Sequence, residues 1–125
     1  MKRILVLDND PAILDIMEEI LGYEGYDVQT YADTENIFNC IDNFNPDLVL
    51  LDYILNGING GELCAQIKQN PLTNHLPVII MSAYSRVLLS LGNYGCDDFI
   101  AKPFDLDDFI SRVSRCTYSQ RAYGS

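Results

Sequence analysis

The chain has no tryptophan, one histidine and only eight lysines and arginines among 125 residues. Each scarcity removes a class of function. His75, in the polar stretch NPLTNHLP, has no second histidine or nearby cysteine with which to share a metal ion, so a surface position is expected for it. Eight bases against eighteen acids give a formal net charge of −10. That balance repels nucleic-acid phosphates and argues against direct DNA or RNA binding. Arg112, Arg115 and Arg121 fall near the expected end of a final helix, where they would complement its dipole.

Long apolar runs are also missing. No segment approaches the roughly 18 residues of a membrane span. The apolar part of MKRILVLD is too short for a signal peptide, so a cytoplasmic location without membrane attachment is the expectation. Cys40, Cys64, Cys96 and Cys116 form no C-x-x-C pair and are read as reduced small hydrophobes. A Gly-rich phosphate loop is absent as well, which leaves nucleotide binding unsupported.

What is present is enough for one core: 48% of the residues are apolar, in a chain of single-domain length. Five short runs rich in Ile, Leu and Val suit strands buried on both faces: RILVLD (3–8), DVQTY (27–31), DLVLLD (47–52), PVIIMS (77–82) and DFIAK (98–102). Helical segments lie between them. Asp10 can cap the first, Pro11 fits its first turn, and Ile13, Ile16, Met17, Ile20 and Leu21 form an apolar stripe before Gly22. Asp33 or Thr34 opens the second, with Ile37, Phe38 and Ile41 inward, and the third runs from Gly60 to Gln69 before Asn70 and Pro71. From Tyr84 to Gly95 the period is cut by Gly92 and Gly95, so the fourth helix is expected to be short or irregular. Asp105 caps the last, which buries Leu106, Phe109, Ile110 and Val113 and carries Asp107 and Asp108 in its first turn. Five β units alternating with five α units predict an α/β fold, a doubly wound parallel sheet with helices on both faces.

In such sheets the ligand sits beyond the carboxyl ends of the strands, where the strand order reverses. Asp8, Asp52, Ser82 and Lys102 fall at those ends, whereas Tyr31 adds no evident chemistry. Two carboxylates suit Mg2+, which takes oxygen ligands and keeps several waters. With a lysine and a hydroxyl beside them they can bind a transferring phosphoryl group, and one carboxylate can accept it as an acyl phosphate. Taken singly, Lys102 reads better as an ion-pair partner and Ser82 as a hydroxyl that satisfies a backbone group. Four such groups at four strand ends favour a site.

Which carboxylate is the nucleophile depends on VLDNDP (6–11). The stretch resembles the opening of haloacid-dehalogenase-type phosphatases, with Asp8 as nucleophile and Asp10 as its acid/base partner. That reading leaves Asp52 without a role, puts Pro11 where Thr or Val is usual, and needs a cap or longer core than this chain has. The whole chain instead resembles the receiver domain of two-component response regulators. The motifs are Asp8, Asn9, Asp10 and Pro11 after the first strand; Asp52 in DLVLLDYILNGINGGEL with Asn59-Gly60 beyond it; Ser82-Ala83; and DDFIAKPF, with Phe99 at the aromatic switch position and Lys102-Pro103 at a bond the family holds cis.

This resemblance implies a flavodoxin-like (βα)5 fold of strand order 2-1-3-4-5, with the receiver over residues 1–120 and a tail at 121–125. It implies phosphoryl transfer to Asp52 from a sensor histidine kinase or phosphotransfer protein, assisted by Ser82 and Lys102, with Mg2+ at Asp8, Asn9, Asp52 and Ile54. Such a chain is a phosphoacceptor rather than a turnover enzyme on an external substrate. Its response, in which Ser82 moves toward the phosphate and Phe99 turns inward, would alter the surface of the fourth and fifth helices and the last strand, read by a downstream effector or fused output domain. Asn9 departs from the pattern by replacing an acid that contacts the metal, so the ion should bind more weakly. The alternative it encourages is a receiver-like interaction module acting without phosphorylation. Asn56 stands where Pro is common, and with Gly57 it predicts a more mobile loop after Asp52.

Overall fold

A strand sends alternate side chains to opposite faces, so an unbroken apolar run needs cover on both. The computed structural model describes residues 1–33, 36–55, 58–83 and 95–124, and of residues 119–124 the backbone. The elements are β1 (Arg3–Leu7), α1 (Pro11–Tyr23), β2 (Asp27–Tyr31), α2 (Ile37–Phe44), β3 (Leu48–Asp52), α3 (Gly60–Gln69), β4 (Val78–Ser82), β5 (Asp98–Ala101) and α4 (Leu106–Gly124). The irregular helix expected from Tyr84 to Gly95 lies, but for Gly95, outside the described residues, as do Thr34, Asn56 and Gly57.

All strand pairs are parallel, in the order β2-β1-β3-β4-β5, as expected for the flavodoxin-like arrangement. Sequence parity decides which face each residue serves. Leu5, Leu7, Val49, Leu51, Val78 and Ile80 pack with Ile37 and Ile41 of α2 and Leu63 and Ile67 of α3. The alternate positions Ile4, Val6, Leu48, Leu50, Ile79 and Met81 pack with Leu14, Met17 and Leu21 of α1 and Phe109 and Val113 of α4. Burying each such side chain contributes roughly 1.5–3 kcal/mol, so β1, β3 and β4, which are almost wholly buried, hold the domain together. β2 and β5 depart from the expected two-sided burial. Each is an edge with a single strand neighbour.

The helices correct several details. In α1 Leu14 joins Met17 and Leu21 as a buried residue and Ile13 and Ile20 pack half-buried beside them, while Ile16 is 46% exposed. The helix passes Gly22 and ends at Tyr23, and Gly25, at φ +91°, takes the left-handed turn instead. Asn36, whose side chain accepts the Phe38 N–H, opens α2 rather than Asp33. Asn59 caps α3, its side chain accepting the Glu62 N–H. Asp105 accepts the Asp108 N–H at the start of α4, but Leu106 stays half exposed, and Phe109 stacks on Phe104 at 4.7 Å between ring centres.

α4 continues through residues 121–124, so Arg112 sits early in the helix rather than at its end. It donates to Asp98 at 2.7 Å and Asp108 at 2.9 Å, tying α4 to β5. Cys40, Cys64, Cys96 and Cys116 form no disulfide among the described residues. Burial pushes the Cys64 thiol up to about 12 and those of Cys96 and Cys116 to about 11, so all three stay protonated at neutral pH. His75 is exposed. Among the described residues no helix is long and apolar enough to cross a membrane.

Candidate functional site

Parallel pairing brings the carboxyl ends of all five strands to one edge. The order reverses between β1 and β3, and there Leu7 and Leu51 are register partners. The next residues along, Asp8 and Asp52, therefore meet at the switch point. Asp52 is paired with Met81, and Ser82 with Ala101, which puts Lys102 one step past the edge. Backbone bonds continue beyond the strands: Asp8 N–H to Tyr31 O at 3.1 Å, Tyr53 N–H to Met81 O at 2.8 Å, and Lys102 N–H to Ser82 O at 2.8 Å. The side chains thus project from backbone that the sheet already fixes.

Asp8 is fully buried and Asp52 is 6% exposed. The Lys102 ammonium joins them, donating to Asp8 Oδ2 at 2.7 Å and Asp52 Oδ1 at 3.0 Å. The second Asp8 oxygen accepts the Asp10 N–H at 3.0 Å. A buried carboxylate is tolerable when its oxygens are paired in this way. Ser82 is buried beside this group, in the strand next to Asp52. Asp10 does not turn inward: it is exposed, and its carboxylate caps α1 by accepting the Ala12 N–H. Asn9 is exposed immediately after Asp8, and Ile54 is exposed two residues after Asp52. Lys102-Pro103 is cis, and half-buried Phe99 packs against the core cluster on the α2–α3 face.

The electrostatics are unbalanced. Burial pushes the Asp52 carboxyl above its ordinary value; Lys102 opposes the shift and Asp8 adds to it. Burial alone would lower the Lys102 ammonium, but its hydrogen bonds to Asp8 and Asp52 outweigh that, and the net shift is upward. Two carboxylates against one ammonium leave an excess negative charge at the mouth of the sheet. Among the described residues no group of three or more His, Cys, Asp or Glu side chains is placed to hold a metal ion. This donor set fits Mg2+, which is commonly held by one or two carboxylates and takes its remaining oxygens from water and phosphate.

Sequence reasoning missed two supports of the site. Asp8 is held by the backbone at the start of α1, and Gly60 lies directly against the backbone of Asp52. For Gly60 the signal was the Asn-Gly pair opening α3, although nothing in the sequence reports the distance.

The sequence matches the family model for the response regulator receiver domain over residues 4–114. Over 116 residues it is 36% identical to the response regulator ArlR of Staphylococcus saprophyticus, covering 90% of this chain and 51% of that one. The chain spans about half the length of the curated relatives it matches. Two solved structures resemble the fold closely. The CheY-like response regulator receiver domain protein from Methanospirillum hungatei gives a TM-score of 0.85 at 31% identity, with 98% of both chains covered. The response regulator TrrA from Thermotoga maritima, solved in complex with Mg2+-BeF, gives 0.83 at 32% identity, with 93% of this chain and 99% of that one covered.

Proposed function

The chain is a member of the response regulator receiver domain family, a module of two-component phosphorelay signalling, and within that family we propose that Asp52 is the phosphoryl acceptor. The donor is the phosphohistidine of a sensor histidine kinase or a phosphotransfer protein. An Asp52 oxygen attacks phosphorus, the P–N bond breaks, and the imidazole leaves as the aspartyl phosphate forms. The observation that carries this reading is the shared ammonium: Lys102 contacts Asp52 and Asp8 together at the strand-order switch point.

Asp8 and Asp52, with the amide oxygen of Asn9 and the backbone of Ile54, would hold Mg2+, which supplies positive charge to the phosphoryl oxygens. Lys102 adds a second positive charge, and the buried Ser82 hydroxyl donates a hydrogen bond to a phosphoryl oxygen. The new dianion then draws Ser82 and Lys102 toward itself and biases the domain between two packings. Phe99 responds by turning inward, and the faces of β5 and its flanking helices carry the signal to a downstream effector or an output domain. The excess of acids over bases disfavours nucleic acid as the direct partner of this domain.

The test is incubation with acetyl phosphate and Mg2+, read by intact mass and 31P NMR. Addition of one phosphoryl group is expected, lost in Asp52→Ala and in EDTA. Asn9 favours a second reading, a receiver-like interaction module that works unphosphorylated, because it replaces a metal-binding acid. That module would take up no phosphate and bind its partner equally well with and without Asp52.

A further inference from the structure

Gly60 opens α3, and its N–H donates to the Tyr53 carbonyl at 2.8 Å. A Cβ on Gly60 would run into the backbone oxygen of Asp52 and lie 2.9 Å from its carbonyl carbon and 3.1 Å from the Tyr53 Cα. All three are backbone atoms, which cannot swing aside as a flexible side chain can. The same peptide is pinned from the other side, because the Tyr53 N–H donates to Met81 O at 2.8 Å. The first peptide beyond β3 is therefore gripped between β4 and the first residue of α3. Helix α3 is fixed in turn by the Asn59 cap on the Glu62 N–H and by buried Leu63, Cys64 and Ile67.

We propose that Gly60 is a positioning residue for the phosphoryl acceptor: its missing side chain lets α3 close on the Asp52 backbone and hold the carboxylate against Lys102. This inference rests on Asp52 being the acceptor. A methyl group at residue 60 must move the Asp52 peptide outward by roughly 1 Å to reach ordinary contact, and a misplacement of that size at a reacting group costs about tenfold to a hundredfold in rate.

The test compares wild type, Gly60→Ala and Gly22→Ala, the last being a helical glycine with nothing within 4 Å of an added Cβ. Phosphorylation by acetyl phosphate at saturating Mg2+ is measured per folded molecule, well below the melting temperature. In metal-free buffer the carboxyl 13C resonance of Asp52 is recorded. Gly60→Ala is expected to lose about tenfold to a hundredfold in rate and to shift the Asp52 resonance, and Gly22→Ala to do neither. A Gly60→Ala rate within about threefold of wild type, or an unmoved resonance, overturns the positioning role. If Gly60→Ala does not fold, amide exchange in the wild type decides: protection of the Gly60 N–H matching that of Tyr53 supports the grip, and exchange as fast as an exposed loop overturns it. If wild type itself takes up no phosphate, the acceptor reading fails and the positioning role fails with it, an outcome distinct from loss in Gly60→Ala alone.

Discussion

Replacing Asn9 by Asp tests the proposed metal site at a position where the sequence departs from the family pattern. Asn9 is exposed, so a charge there interacts through water rather than through the protein interior. Two unit charges about 4 Å apart in water interact by about 1 kcal/mol, and a divalent ion doubles this to about 2 kcal/mol. At about 1.4 kcal/mol per decade, Asn9→Asp should bind Mg2+ about thirtyfold more tightly. Without metal the sign reverses. Asp8 and Asp52 already share Lys102 as their common ammonium, and a third carboxylate adds repulsion of about 1 kcal/mol. In a domain of this size that lowers the melting temperature by about 4 °C. Mg2+ titrations by calorimetry and by thermal melting, at constant ionic strength, read both effects. The variant should melt below wild type in EDTA and above it in excess Mg2+. An affinity change under about threefold, or a variant that is more stable than wild type in EDTA, would refute the placement of Asn9 at the metal.

Removing the shared ammonium by Lys102→Met leaves buried Asp8, among the described residues, with the Asp10 N–H as its donor, and urea unfolding in EDTA should show a loss of about 3 kcal/mol that Mg2+ partly restores. Asp52 titrates above its ordinary value, so the folded chain holds that proton more tightly than the unfolded one; its contribution is complete below the unfolded pKa and is lost as pH rises through the folded one. Asp52→Asn abolishes that loss, and in EDTA its gain in melting temperature over wild type should be smallest near about pH 4 and larger at neutral pH; a gain independent of pH refutes the linkage. Phe109, fully buried against Phe104, should cost about 3–5 kcal/mol on truncation to alanine, whereas half-exposed Leu106 should change urea stability by no more than about 0.5 kcal/mol.

The order of strands and helices was legible in the sequence because its cause is local. Runs such as LVLLD cannot avoid burial on both faces, and turn residues such as Asn70-Pro71 stop a helix whatever surrounds it. The parallel sheet followed from that alternation, and with it came the edge where Asp8, Asp52, Ser82 and Lys102 collect. Periodicity was less informative about facing. It placed Ile16 and Leu106 inward, but a helix with several apolar positions can rotate by a fraction of a turn; packing against the sheet took Leu14 in place of Ile16, and of the last helix it buried Phe109 and Val113, as expected, but left Leu106 half exposed. Which chemical groups stand at the strand ends follows from the order of residues alone. How those groups are joined follows from folding, because each contact depends on residues far apart in the chain. Lys102 closes on Asp8 across 94 positions and on Asp52 across 50. Asp10, a carboxylate only two residues from Asp8, is drawn off to cap a helix. The fit of Gly60 against Asp52 is a matter of ångströms between backbones, set by how α3 docks on the sheet, and composition and spacing carry no record of it.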